Sequence, residues 1–215
     1  MRYFLDMNLP IYFCMALGHP LEQKAQHFIN NKGENYFLLC DYIINNNLQK
    51  WLNRQKIVLF EFNQKIKDKN YILFSVEQSK ILTGRDKILV TRLILMYEKS
   101  DYKIDFLSEI NQIFTLLNAR ISFFIKRYID EVVIPESEID FNLKSCLFDF
   151  LAPNESDAKT IASAIQEHNK KALHIMTADK KDWTDDLIGR VHDYPGLSKV
   201  YPSLPKIEYL QNYIA

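Results

Sequence analysis

Glycine is scarce in this chain, with five in 215 residues, and proline is little commoner at seven. All-β folds spend both residues on tight turns, so this scarcity argues for long helices. Cysteine is scarce too. Cys14, Cys40 and Cys146 are odd in number, lie far apart and form no CxxC pair. This argues against a disulfide framework or a thiolate zinc site and suits reduced thiols in a cytoplasmic protein. An excess of one charge is also missing, because 27 basic residues balance 27 acidic ones. A polyanion would therefore need a local patch. No uncharged apolar run reaches the roughly 18 residues that suggest a membrane span. Asp6 interrupts the apolar start where a signal peptide would need a continuous core, so no membrane partner is expected.

What is present is an ordinary globular composition, 47% hydrophobic and 25% charged, at a length suiting one domain or one domain with a large insertion. Tyr3–Leu5, Tyr36–Cys40 and Ala172–Met176 are short, continuous apolar runs, the pattern of strands covered on both faces of a parallel sheet. Helical spacing follows the first two, over Ile11–Leu17, Leu21–Ile29 and the segment after Asp41, which can cap it. From Lys56 to about Asp149 the pattern is mainly helical, with Tyr71–Phe74 open between strand and helix. Pro153-Asn-Glu-Ser156 is a loop, and Ser156 is the expected N-cap of a helix over Asp157–Asn169. Asp182–His192 reads as a further helix, and Val200-Tyr-Pro202 as a short strand or extended tail. Strand–helix alternation at both ends predicts an α/β fold with a central parallel sheet and a helix-rich middle.

Two of the apolar runs end in polar groups of one kind. Tyr3–Leu5 delivers Asp6 and Asn8, and Ala172–Met176 delivers Thr177 and Asp179. In open parallel sheets, ligands bind outside the carboxyl ends of the strands. Asp157, in the first turn of the helix leading into the later run, can face the same crevice. Three carboxylates converging there would raise one another's pKa, and a divalent cation would relieve the repulsion. Mg²⁺ and Mn²⁺ prefer oxygen ligands, and such an ion serves phosphodiester hydrolysis. The expectation is carboxylate oxygens about 2–5 Å from a common point. The plainer alternatives are that Asp6 caps the following segment and that Asp157 sits at a helix start for its dipole. The lysine and arginine clusters, including Lys65-Lys67-Lys69 and Arg85-Lys87, read first as solvated helix surface and second as a phosphate track.

Three segments, in order, carry a resemblance. Phe4-Leu-Asp-Met-Asn-Leu-Pro-Ile-Tyr12 resembles the opening motif of PIN-domain nucleases. Ser156-Asp-Ala-Lys-Thr-Ile-Ala-Ser-Ala164 is similar to the family's later Asp-containing helix start. His174-Ile-Met-Thr-Ala-Asp-Lys-Lys-Asp-Trp183 resembles its TxD segment with a following Asp–aromatic pair. The match covers about residues 1–52 and 150–210.

The resemblance implies one three-layer PIN-like domain over residues 1–215, with a helical insertion or cap at about 56–149. It implies catalytic, metal-binding acids at Asp6, Asp157 and Asp179 and an Mg²⁺ or Mn²⁺ cofactor. Asn8 and Thr177 would support that site, and Asp182 would lie beside it or start a helix. The family usually adds a Glu on the helix after the second strand. Here that place holds Asn46 or Asn47, and Asp41 and Glu77 are the acids that could substitute. The implied function is a metal-dependent endonuclease, an endoribonuclease with an RNA substrate. Toxin-like relatives bring an antitoxin as partner, and another protein partner or a homodimer is also compatible. The alternative is a catalytically inactive PIN-like RNA- or protein-binding module. An aspartate-nucleophile phosphatase would need a second Asp where Asn8 stands.

Overall fold

The computed structural model describes residues 1–151 and 154–213. Among them five strands form one sheet: β1 Arg2–Leu5, β2 Tyr36–Cys40, β3 Glu131–Val133, β4 His174–Thr177 and β5 Lys206–Tyr209. The helices, in chain order, are α1 Asn8–Cys14, α2 Pro20–Asn30, α3 Leu48–Lys67, α4 Val76–Ile81, α5 Gly84–Lys99, α6 Lys103–Tyr128, α7 Phe141–Leu151, α8 Glu155–Lys170, α9 Asp185–Gly189 and α10 Pro195–Val200. Every strand pairing is parallel, in the order β3-β2-β1-β4-β5. The chain is thus an α/β protein with the all-parallel sheet that its apolar runs predict.

The register explains why those runs lack polar alternation. Tyr3 pairs with Phe37 and His174, while Phe4 pairs with Leu38 and Ile175. Successive side chains point to opposite faces, so two sets form and both are covered. On the first face, Phe28 of α2 meets Tyr3 and Phe37 at ring distances of 5.3 Å. On the second, Ser163 of α8 hydrogen-bonds Cys40, and Glu167 of α8 pairs with Arg2 at 2.7 Å. Ala158, Ile161, Ala164 and Ile165 form the buried stripe of α8. Full burial of a side chain such as Phe4 stabilises by about 2–3 kcal/mol.

The element boundaries differ from the sequence reading for identifiable reasons. Helix α1 starts at Asn8 rather than Ile11. Pro10 falls in its first turn, where a missing N–H costs nothing. Asn154 caps α8, accepting from the Asp157 N–H at 3.2 Å, so the helix starts two residues before Asp157 and Ser156 lies inside it. Pro153 of the expected capping loop lies outside the described residues. Asp41 accepts a hydrogen bond from the Asn45 side chain, and the chain passes through a π-helical turn, Ile43–Asn47, into α3. Tyr71–Phe74 is neither strand nor helix. The stretch read as helical to Asp149 contains β3, an edge strand of three residues with only Val133 buried. Val200 ends α10, and the last strand comes later, at Lys206. Of Asp182–His192, only Asp185–Gly189 is α-helical, and Thr184 caps it.

The chain divides into two compact units, Met1–Leu48 with Ile121–Ala215, and Gln49–Arg120. The first holds the sheet. The second is helical and is organised around two buried acids. Asp86 closes a capping box with Thr83 at the start of α5. It also accepts from Arg54 at 2.9 Å and Gln55 at 3.1 Å. Glu61, fully buried in α3, accepts from the Tyr71 hydroxyl and the Phe74 N–H, which anchors the loop after α3. Among the described residues no helix is long and apolar enough to cross a membrane.

Candidate active site

Strand order dictates where a ligand crevice opens. From β1 the chain builds outward through β2 and β3 on one side, then returns to add β4 and β5 on the other. Such a reversal leaves a crevice beyond the carboxyl ends of the two adjacent strands, here β1 and β4. Asp6 follows β1 directly and Asp179 lies two residues beyond β4, so both flank that crevice.

Asp6 is 3% exposed. Its Oδ2 accepts from the Thr177 hydroxyl at 2.8 Å and from the Asn8 amide at 2.7 Å. Its own N–H donates to the Met176 carbonyl at 3.0 Å, which continues the sheet by one rung. Thr177 works both ways, since its oxygen also accepts from the Asp179 N–H at 2.9 Å. A single hydroxyl therefore ties the ends of β1 and β4 together. Burial pushes the Asp6 carboxyl up to about 6 against these hydrogen bonds, and Asp179 adds to the rise.

Asp157 comes to the same group of acids from the start of α8. Its carboxylate is held by the Asn154 amide and by a hydrogen bond from Trp183. Burial pushes it up to about 7, followed by the charges of Asp6, Asp179 and Asp182. Asp179 closes a turn in which its Oδ1 accepts from the N–H groups of Lys181 and Asp182 at 2.9 and 3.1 Å. Asp182 thus neither starts nor caps a helix; it sits within the charge field of Asp157.

The donors to these acids are neutral, and among the described residues no Lys, Arg or His pairs with Asp6, Asp157, Asp179 or Asp182. Among the described residues there is also no set of three His, Cys, Asp or Glu side chains placed to hold one metal ion. The expected convergence on a common point is therefore not present in this arrangement. The cause is local: each carboxylate is turned toward its own donors, Asp6 to Thr177 and Asn8, Asp157 to Asn154 and Trp183, Asp179 to its own turn.

The candidates for the missing acid separate. Asn47 is buried and accepts from Ser156 at 3.0 Å, which brings it to the turn that carries Asp157. Asn46 instead donates to Glu136 at 2.8 Å. Asp41 follows β2 and holds Asn45. Glu77 is exposed in the first turn of α4, in the helical unit.

Two residues escaped the sequence reading. Trp183, 1% exposed, orients Asp157, and its carbonyl in turn accepts from the Tyr209 hydroxyl of β5 at 2.9 Å. The aspartate–aromatic pair at Asp182-Trp183 was the available signal. Asn154 gave a weaker one, as a capping residue three positions before an acid. Burial raises the thiols of Cys40 to about 12 and Cys146 to about 11, which leaves neither as a ready nucleophile.

No family model, curated protein or solved structure matches the chain.

Proposed function

We propose that this protein is a PIN-like, metal-dependent endonuclease that cleaves RNA, with Asp6, Asp157 and Asp179 as its working acids. One observation carries the reading. Asp6, Asp179 and Asp182 lie within the charge field of Asp157 beside the carboxyl ends of β1 and β4, and among the described residues no Lys, Arg or His pairs with any of the four. Such a charge deficit is costly unless something positive completes it. The donor set fits Mg²⁺ or Mn²⁺, which take hard oxygen ligands. Mg²⁺ commonly binds through one or two carboxylates while keeping several waters, so three direct protein ligands are not required. Asp6, Asp157 and Asp179 are the residues that would hold the ion, directly or through its waters. When bound, it would supply an activated water and neutralise charge on the phosphate.

The chain's own residues do the positioning. Thr177 and Asn8 occupy one oxygen of Asp6 and fix its plane. Trp183 fixes Asp157 from the β5 side. Asn47 offers an uncharged oxygen where the resemblance leads one to expect a Glu. The Asn-rich stretch after β2, with Asn46 or Asn47 where the resemblance leads one to expect a Glu, favours the second reading, a PIN-like module that binds RNA or protein without cleaving it.

Calorimetric titration with Mn²⁺ and cleavage of a fluorogenic RNA separate the two. The nuclease reading expects heat in the wild type and none in Asp6→Asn. Cleavage should fall by roughly a thousandfold, the scale of losing a group that acts in the transition state. A wild type that binds RNA but shows neither metal heat nor cleavage would establish the inactive module instead.

A further inference from the structure

We propose that a groove between α3 and α6, within the helical unit, is a binding site for a free nucleoside, its base inserted edge-first. The two helices run side by side here, joined by Asn63 donating to Asn111 at 2.8 Å. Before Asn63 on α3 and after Asn111 on α6 they line a cavity of about 330 Å³. That is the small end of the roughly 300–1,000 Å³ that ligand sites occupy. Leu52, Phe114 and Leu117 form its buried floor, and Gln49, Asn53 and Asn118 its exposed polar rim. Gln55 lines it too and is 3% exposed. Its Nε2 donates to Asp86 Oδ1 at 3.1 Å, while among the described residues nothing donates to its buried Oε1.

The orphan oxygen selects the ligand. A carboxylate only accepts, so Asp86, already paired with Arg54, holds the amide nitrogen on its own side and the amide cannot turn over. What the amide offers the cavity is therefore a fixed acceptor. A buried acceptor without a donor is costly, and a ligand N–H relieves that cost. Because this oxygen is almost closed to solvent, the donor must reach past the rim, which a flat ring does and a bulky head does not. Phe114 and the two leucines suit the faces of such a ring. The rim amides suit hydroxyl groups on whatever the ring carries. A flat heteroaromatic ring with an N–H at its edge, joined to a hydroxyl-rich group, is a nucleoside. A carboxylate or phosphate aimed at the floor would set oxygen against oxygen, so simple anions are rejected there. The lining residues all fall within 49–120, so the site shares none with the acidic crevice.

The test uses the full chain in EDTA, which silences any metal site, and follows binding by ligand-observed NMR titration. The probes are adenosine, guanosine, cytidine and uridine, each with an N–H on its base, and purine riboside, which is adenosine without its amino group. At least one of the four should bind with a Kd below about 1 mM. Purine riboside should bind at least about tenfold more weakly than the best of them, because the buried acceptor then stays unpaired. Gln55→Met keeps the length of the side chain, removes the acceptor and should weaken the best nucleoside at least about tenfold. That variant also takes a donor from Asp86, so a second one avoids the core. Thr115→Trp, at an exposed position lining the cavity, should fill the groove, abolish binding and keep wild-type circular dichroism. The proposal is overturned if none of the four nucleosides binds, the result expected of a groove that holds only water. It is also overturned if purine riboside binds as tightly as the best of them, or if either variant, once folded, binds as the wild type does. None of these readouts depends on metal or cleavage, so they stand apart from the nuclease reading.

Discussion

Asp6 in the sheet unit and Asp86 in the helical unit are nearly equally buried, at 3% and 6%, yet the chain treats them oppositely. Asp86 receives a cation, Arg54, together with Gln55, the Thr83 hydroxyl and the Thr83 N–H. Its charge is compensated and its lone pairs are used, so its work is to pin the start of α5 to α3. Asp6 receives a hydroxyl and an amide, with Asp157 and Asp179 within its charge field and, among the described residues, no cation paired with it. A buried acid that the fold completes is a structural part. One that the fold leaves incomplete costs stability, and that cost makes sense if something outside the chain completes it.

The sharpest way to break this contrast is to delete each acid. Asp86→Ala leaves the Arg54 cation and the Gln55 amide without their shared partner and should destabilise by about 3–5 kcal/mol. Urea unfolding reads it, and a loss below about 1 kcal/mol would make Asp86 dispensable. Asp6→Asn should do the reverse at neutral pH. The folded Asp6 carboxyl titrates at about 6, above its ordinary 3.8, so the folded state penalises the charged form. Its contribution to stability is full below about pH 4 and is lost as pH rises through about 6. Asp157, raised to about 7, extends the window upward. The Asn variant should therefore be more stable than wild type by about 2 kcal/mol at pH 7.5 and no more stable at pH 4. A wild type that is the more stable at pH 7.5 would show Asp6 to be compensated like Asp86. The smallest effect belongs to Asn154→Ala, which removes the cap of α8 and should cost about 1 kcal/mol in thermal unfolding. A loss of several kcal/mol would mean that Asn154 does more than cap.

The contrast also marks what the sequence could carry. Strands β1, β2 and β4 were legible because burial on both faces makes them continuous apolar runs. The edge strands were not: Glu-Val-Val at β3 and Lys-Ile-Glu-Tyr at β5 face solvent on one side and show no such run. Asp6 and Asp179 were legible as acids ending buried strands. The ties between them were not, because a threonine in a strand gives no sign that its hydroxyl serves two chain ends. Trp183 looks like any core aromatic until its N–H is seen to meet Asp157. Ser156 and Asn154 are equally good caps on paper, and only the backbone decided for Asn154. The two treatments of a buried acid could not be told apart from sequence, since Arg54 and Asp86 lie 32 residues apart.

The central place of β1 sets a timetable. Its neighbour β4 lies some 170 residues further along the chain, so the rung between Asp6 and Met176 can form only after most of the protein has left the ribosome. At usual synthesis speeds, about ten to thirty seconds separate the making of Asp6 from that of Asp179. By the end of that interval residues 49–120 have already been made, while Asp179, beyond the end of β4, comes last.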